Sequence, residues 1–249
     1  MATAGKPKQE DAPYRLGGMG YQDPSGRRLS YDSYLHIPQL LELQQGLTLA
    51  HDELLFIVVH QVYELWFKVL IDELESVRDA IETENLRAAR HALTRVKVIE
   101  DLLVEQVAVL ETMAPQDFLT FRSELAPASG FQSVQFREIE FLSGLKDAGY
   151  IKALDGHGDA RARLQQRLDE PSLHDVFTAL IGRRGVTVSD LYRQGDRHAD
   201  LLELAEALLD HDEGFRLWRL RHVEMVERQI GDKPGTGGST GVRLSASPV

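Results

Sequence analysis

Apolar residues recur at steps of three and four along most of this chain, and strand-like alternation is almost absent. In "DELLFIVVHQVYELWFKVLIDELESVRDAIE" the positions Leu55, Val58, Val59, Val62, Leu65, Trp66, Val69 and Leu70 form one broad stripe. That pattern predicts a helix of about eight turns with the stripe inward. "NLRAARHALTRVKVIEDLLVEQVAVLETM" repeats the period, with Leu93, Val96, Ile99, Leu103, Val107 and Leu110 inward, Asn85 as the cap and Pro115 as the stop. Very few residues join the two, so an antiparallel hairpin is expected. Helical spacing resumes through Val134, Phe136, Ile139 and Leu142, and residues 144 to 170 read as an irregular connection with short helical pieces. A further block covers about 171 to 182, and "ADLLELAEALLDHDEGFRLWRLRHVEMVERQIG" supplies one or two more helices. The expected fold is an all-α helical bundle with no internal repeat. Residues 1–30, rich in Gly, Pro and charge, read as a flexible arm, 31–241 as a single helical domain and 242–249 as a tail.

Composition narrows the chemistry. The 249 residues, 43% hydrophobic, suffice for one sizeable core. A formal net charge of -11 argues against a protein that reads a nucleic-acid backbone. The absence of cysteine excludes disulfides, zinc knuckles and thiolate-ligated haem or iron–sulfur clusters, so any metal is held by His, Asp, Glu or a cofactor. The first residues lack the apolar core of a signal peptide, and no apolar run is read as approaching the roughly 20 residues that span a bilayer. A soluble, cytoplasmic protein without a membrane partner is expected.

Several side chains could carry chemistry. His222 shares a helix side with Trp218, Met225, Val226 and Gln229, an apolar wall around one imidazole. Taken alone, that helix fits a core histidine bonded to a carbonyl better than an axial haem ligand. A second histidine, His60, is flanked by Phe56, Glu64 and Phe67, the surroundings a flat ligand needs, although ordinary packing gives the same spacing. Two such helices could also clamp a bare metal, but neither carries a Glu-x-x-His step. The segment "GDKPGTGGSTG" misses both the dinucleotide and the P-loop spacing. It offers either a flexible tail or a backbone that approaches a ligand closely, with hydroxyls at Thr236, Ser239 and Thr240. Arg122, one turn after Phe118, is a planar cation suited to a carboxylate.

Taken together, "YDSYLHIPQLL" (31–41), "HDELLFIVVHQVYELWFK" (51–68), "LETMAPQDFLTFRSELAPASGFQSVQFREIE" (110–140) and "LWRLRHVEMVERQIGDKPGTGGSTG" (217–241) resemble the tryptophan 2,3-dioxygenase family. The four motifs keep the family's order and approximate spacing. The resemblance implies a homotetrameric, mainly helical haem enzyme, with the haem b pocket between long helices, that opens the indole ring of L-tryptophan with O2 to give N-formyl-L-kynurenine. It implies His222 as the haem-iron ligand, with Trp218, Ser129 and Gly130 beside the haem, and His60 as the catalytic residue near the indole N–H. Phe56 and Phe118 would wall the indole, Arg122 and Thr236 would take the amino-acid end, and Tyr31 and Tyr34 would reach a neighbouring subunit's pocket. A relative that oxygenates a substituted indole, and a helical protein that only assembles or senses haem, are the other readings of the same sequence.

Overall fold

The computed structural model describes residues 26, 29–152, 158–231 and 233. The chain divides into two compact units, 1–45 and 46–249, each considered by itself. Within the described part of the first, α1 (Tyr31–Leu35) and α2 (Ile37–Leu40) meet at His36, whose left-handed backbone (φ 53°) turns the chain. Ser30 and Ser33 cap α1 reciprocally, each side chain answering the other's backbone N–H. Neither short helix buries a residue.

The second unit is built of helices joined by short loops, with no strand among its described residues. Its start is fixed by Glu53, a buried carboxylate that accepts from the N–H groups of Leu47 and Thr48 and from the Thr48 hydroxyl. These bonds hold its pKa below the usual carboxylate range, that of the Thr48 hydroxyl first among them. From there α3 (Glu53–Glu82) runs out and α4 (Leu86–Leu110) returns beside it. Asn85 caps α4 through the N–H of Ala88, and all six residues expected inward on α4 are buried. Pro115 opens the next helix, α5 (Pro115–Phe121), where its missing N–H costs nothing.

The inward face of α3 differs from the expected one. Val59 and Leu70 are buried as expected, but Val58, Leu65 and Val69 are exposed, and the interior is taken by Tyr63, Phe67, Ile71, Leu74, Val77 and Ile81. The helix has two apolar sides, so periodicity alone does not choose between them. The larger aromatic surface decides, and the Tyr63 hydroxyl can be buried because it donates to the Leu103 carbonyl on α4. α3 also corrects the reading of apolar runs: an 18-residue window within it reaches a mean hydropathy of 1.7, enough in length and composition to cross a bilayer. Here its inner side packs on α4 and on α6 (Val134–Ser143).

Beyond α6, α7 (Ala148–Lys152) and α8 (Gly158–Asp169) replace the irregular connection with more helix than expected. Few apolar residues hold α8, and charge does the rest. Glu138 on α6 takes both Arg163 and Arg167, which lie one turn apart on α8, and Arg167 also reaches Glu75 on α3. α9 (Leu173–Arg183) and α10 (Val188–Arg193) follow, each opened by a reciprocal cap, Ser172 with Asp175 and Thr187 with Asp190. The chain then enters α11 (Ala199–Ile230), one unbroken helix that lies along α4.

Candidate active site

One cavity of about 290 Å³ opens between α3, α5, α6 and α11. Eight of the residues singled out from the sequence line it together: Phe56, His60, Phe118, Arg122, Ser129, Gly130, Trp218 and His222. Tyr31 and Tyr34 lie on α1 in the first unit with both rings exposed. Thr236 and the glycine segment fall outside the described residues.

His60 projects from the second turn of α3. Its Nδ1 is 2.7 Å from the Phe56 carbonyl, which can only accept, so Nδ1 carries the proton and Nε2 is left as an acceptor. Burial pushes the pKa of His60 down, against the upward pull of that carbonyl and of Glu64. The ring is therefore neutral at neutral pH. Phe56 packs on it at 4.1 Å between centroids, and Phe118 continues the wall at 5.6 Å from Phe56. Phe121, fully buried, meets both phenylalanines edge-on and fixes them from behind.

His222 comes from the C-terminal part of α11. Burial drives its pKa down to about 4, and His60 across the cavity adds to the effect. Neither ring nitrogen has a hydrogen-bond partner among the described residues. No carbonyl of the described residues holds it as an ordinary core histidine, and the ring faces the cavity beside Trp218, 5.7 Å away. A neutral imidazole in an apolar wall with an uncommitted lone pair could serve as a metal ligand.

A bare metal ion finds too few donors here. Among the described residues no three His, Asp or Glu side chains converge, and the single carboxylate on this wall, Glu64, is held by the Gln135 amide at 2.7 Å. A flat chelate that brings its own equatorial donors needs only one imidazole from the protein, an apolar slot and cations for any acidic side arms. The residues present fit such a group. Arg137 and Arg219 line the cavity with Glu140 between them, 2.6 and 3.6 Å from its oxygens, and the Arg137 guanidinium stacks 3.7 Å from the Tyr150 ring. Sequence reasoning missed both arginines. Only their position in the two motifs "VQFREIEF" and "LWRLRH" that also carry site residues could have pointed to them. Gln229 was seen only as a neighbour on the His222 side. It lines the cavity, and its amide donates to the Met113 carbonyl, tying α11 to the segment after α4.

Comparison with known proteins shows the family. A family model described as tryptophan 2,3-dioxygenase matches residues 18–175 and 176–248. The chain is 53% identical to a tryptophan 2,3-dioxygenase of Nocardioides sp. over 233 residues, covering 87% of each protein. It is 42% identical to one of Herpetosiphon aurantiacus, covering 89% of this chain and 93% of that one, and 39% identical to one of Serratia proteamaculans, covering 87% and 86%. Matches of this extent span both walls of the cavity and the helices that carry them, and on them this chain belongs to the tryptophan 2,3-dioxygenase family.

Proposed function

We propose that the protein is a tryptophan 2,3-dioxygenase that inserts both atoms of O2 across the indole C2–C3 bond of L-tryptophan to give N-formyl-L-kynurenine, using haem b held by His222. The observation that carries this reading is the pair of neutral imidazoles, His60 from α3 and His222 from α11, that line one aromatic cavity, the second of them without a hydrogen-bond partner among the described residues. When bound, ferrous haem supplies the iron at which O2 is activated.

The chain's own residues do the rest. Nε2 of His60 accepts the indole N–H and orients the ring, and it is the atom that would take that proton if the reaction requires its removal. Phe56 and Phe118 hold the ring plane and keep water out. Arg122 pairs with the substrate carboxylate, and Arg137 and Arg219 face the acidic arms of the cofactor, with Trp218, Ser129 and Gly130 at its edges. Thr236 meets the amino-acid end of the substrate. We further propose that the enzyme is a homotetramer in which Tyr31 and Tyr34 enter a neighbouring subunit's pocket. In support, α3 carries an exposed apolar stripe, Leu54, Val58, Leu65 and Val69, and α4 another, Val98, Leu102 and Val109.

The test is reduction without air followed by O2 and L-tryptophan. Purified, haem-loaded protein is expected to yield N-formyl-L-kynurenine carrying two atoms from labelled O2, and a product with one labelled atom or none overturns the assignment. Arg122→Ala is expected to lower kcat/KM for tryptophan by about 100-fold, from the loss of a buried charge pair, while leaving the haem spectrum intact.

A further inference from the structure

Away from the cavity, three helices meet on one imidazole. His211 on α11 is 4% exposed and Glu100 on α4 is 1% exposed. Glu100 Oε1 lies 2.7 Å from His211 Nδ1, and His211 Nε2 lies 2.9 Å from the Ser143 hydroxyl at the end of α6. The direction of this chain follows from its far end. Ser143 Oγ is 2.8 Å from the Ile139 carbonyl, which can only accept, so the hydroxyl donates there. Nε2 must then carry the proton of the bond to Ser143, and Nδ1 and Glu100 share one proton between them. Glu100 Oε2 has no hydrogen-bond partner among the described residues and rests against the α11 backbone at Gly214, where an added Cβ would lie 2.5 Å from it.

Such a cluster is a poor source of stability. Desolvation raises the pKa of Glu100, the bond to His211 opposes that, and one carboxylate oxygen is left without compensation. Apolar side chains of the same volume would hold the helices together at least as well. What they would not supply is direction. Leucine and valine contacts allow a helix to slide or roll by a fraction of a turn, whereas two short hydrogen bonds at fixed angles on one ring define a single register. His211, Phe215, Trp218 and His222 follow one another at steps of four, three and four along one face of α11, with ring centroids 6.3, 6.1 and 5.7 Å apart. Trp218 is itself wedged against Tyr63, Phe67 and Phe136.

We propose that the Ser143–His211–Glu100 chain is a positioning device for His222: it sets the height and rotation of α11 against α4 and α6, and the aromatic ladder carries that setting three turns to the cavity. The inference rests on the proposed haem-binding role of His222.

The test compares Glu100→Leu combined with His211→Leu, which removes both partners and leaves no orphan, with Glu100→Gln. The Gln amide donates to Nδ1 and preserves both hydrogen bonds. In the ferrous, haem-loaded protein the iron–histidine stretching band is expected to shift and broaden in the double variant and to match the wild type in Glu100→Gln. In the haem-free protein, amide exchange over residues 215–226 is expected to accelerate by about tenfold in the double variant only, at an unchanged melting temperature. A double variant with the wild-type band and wild-type exchange overturns the proposal, and so does a Glu100→Gln variant that behaves like the double one. Wild-type protein that takes up no haem overturns the proposed function instead, and the exchange measurement then decides the positioning role by itself.

Discussion

A residue's role here follows from what its polar atoms lack as much as from what they touch. His222 has no hydrogen-bond partner among the described residues, so replacing it with Ala removes the proposed haem ligand and leaves no broken network behind among them. His222→Ala is expected to fold and to lose stoichiometric haem, read as loss of the Soret band on reconstitution. The two cavity histidines also set a pH dependence. Both have folded pKa values depressed below the usual 6.5, His222 to about 4 and His60 downward. As the pH falls below 6.5, the unfolded chain takes up protons that the folded chain refuses, so their contribution to stability is present above 6.5 and is lost as the pH falls toward 4. Denaturant titrations of haem-free protein at stepped pH should record that decline, and His222→Phe should reduce its slope. Tryptophan binding should be flat above pH 6.5, because Nε2 of His60 is an acceptor only while the ring is neutral.

Among the elements, α4 was legible from its sequence and α3 only in part. On α4 Leu93, Val96, Ile99, Leu103, Val107 and Leu110 all face inward as the period requires, and the smaller stripe of Val98, Leu102 and Val109 is left outside. Shortening one of them, as in Leu103→Ala, is expected to cost about 2–5 kcal/mol in chemical denaturation. Asn85→Ala, which removes only a cap, should cost about 1 kcal/mol. α3 is apolar on two sides, and which side turns inward depends on the aromatic partners Trp218 and Phe136, which are distant in sequence. Periodicity carries no such information. α8 was foreseen only as a short helical piece of an irregular connection, for a related reason: its hold on the bundle is ionic, through Glu138 and Glu75, and charges on a polar segment look like loop. His60, His222, Phe56, Phe118 and Arg122 could be named from three motifs because each of those brings its own part of the wall. Arg137 and Arg219 could not, because arginines are ordinarily surface residues and only the folded cavity distinguishes these two.

At the scale of the whole molecule, two helices expose apolar stripes that a lone subunit leaves in water. Leu65 and Val69 on α3 keep a helical step with Leu54 and Val58, and burying such a stripe is worth about 25 cal/mol for each Å² covered. Leu65→Glu is expected to shift the protein from the proposed tetramer to smaller species in sedimentation velocity while its far-ultraviolet circular dichroism stays unchanged. If the N-terminal tyrosines complete a neighbour's pocket, the same variant should lose tryptophan turnover along with assembly. A variant that dissociates yet keeps full turnover would separate the site from the oligomer.

The unbroken course of α11 has a mechanical corollary. Its 32 residues form a rod roughly 48 Å long at 1.5 Å per residue, and Glu203, near the opposite end from His222, is anchored to Arg90 on α4. With no break to absorb it, any ordering that the proposed cofactor imposes on His222 passes along the same helix, and amide exchange in the turns next to residue 222 is expected to slow on loading.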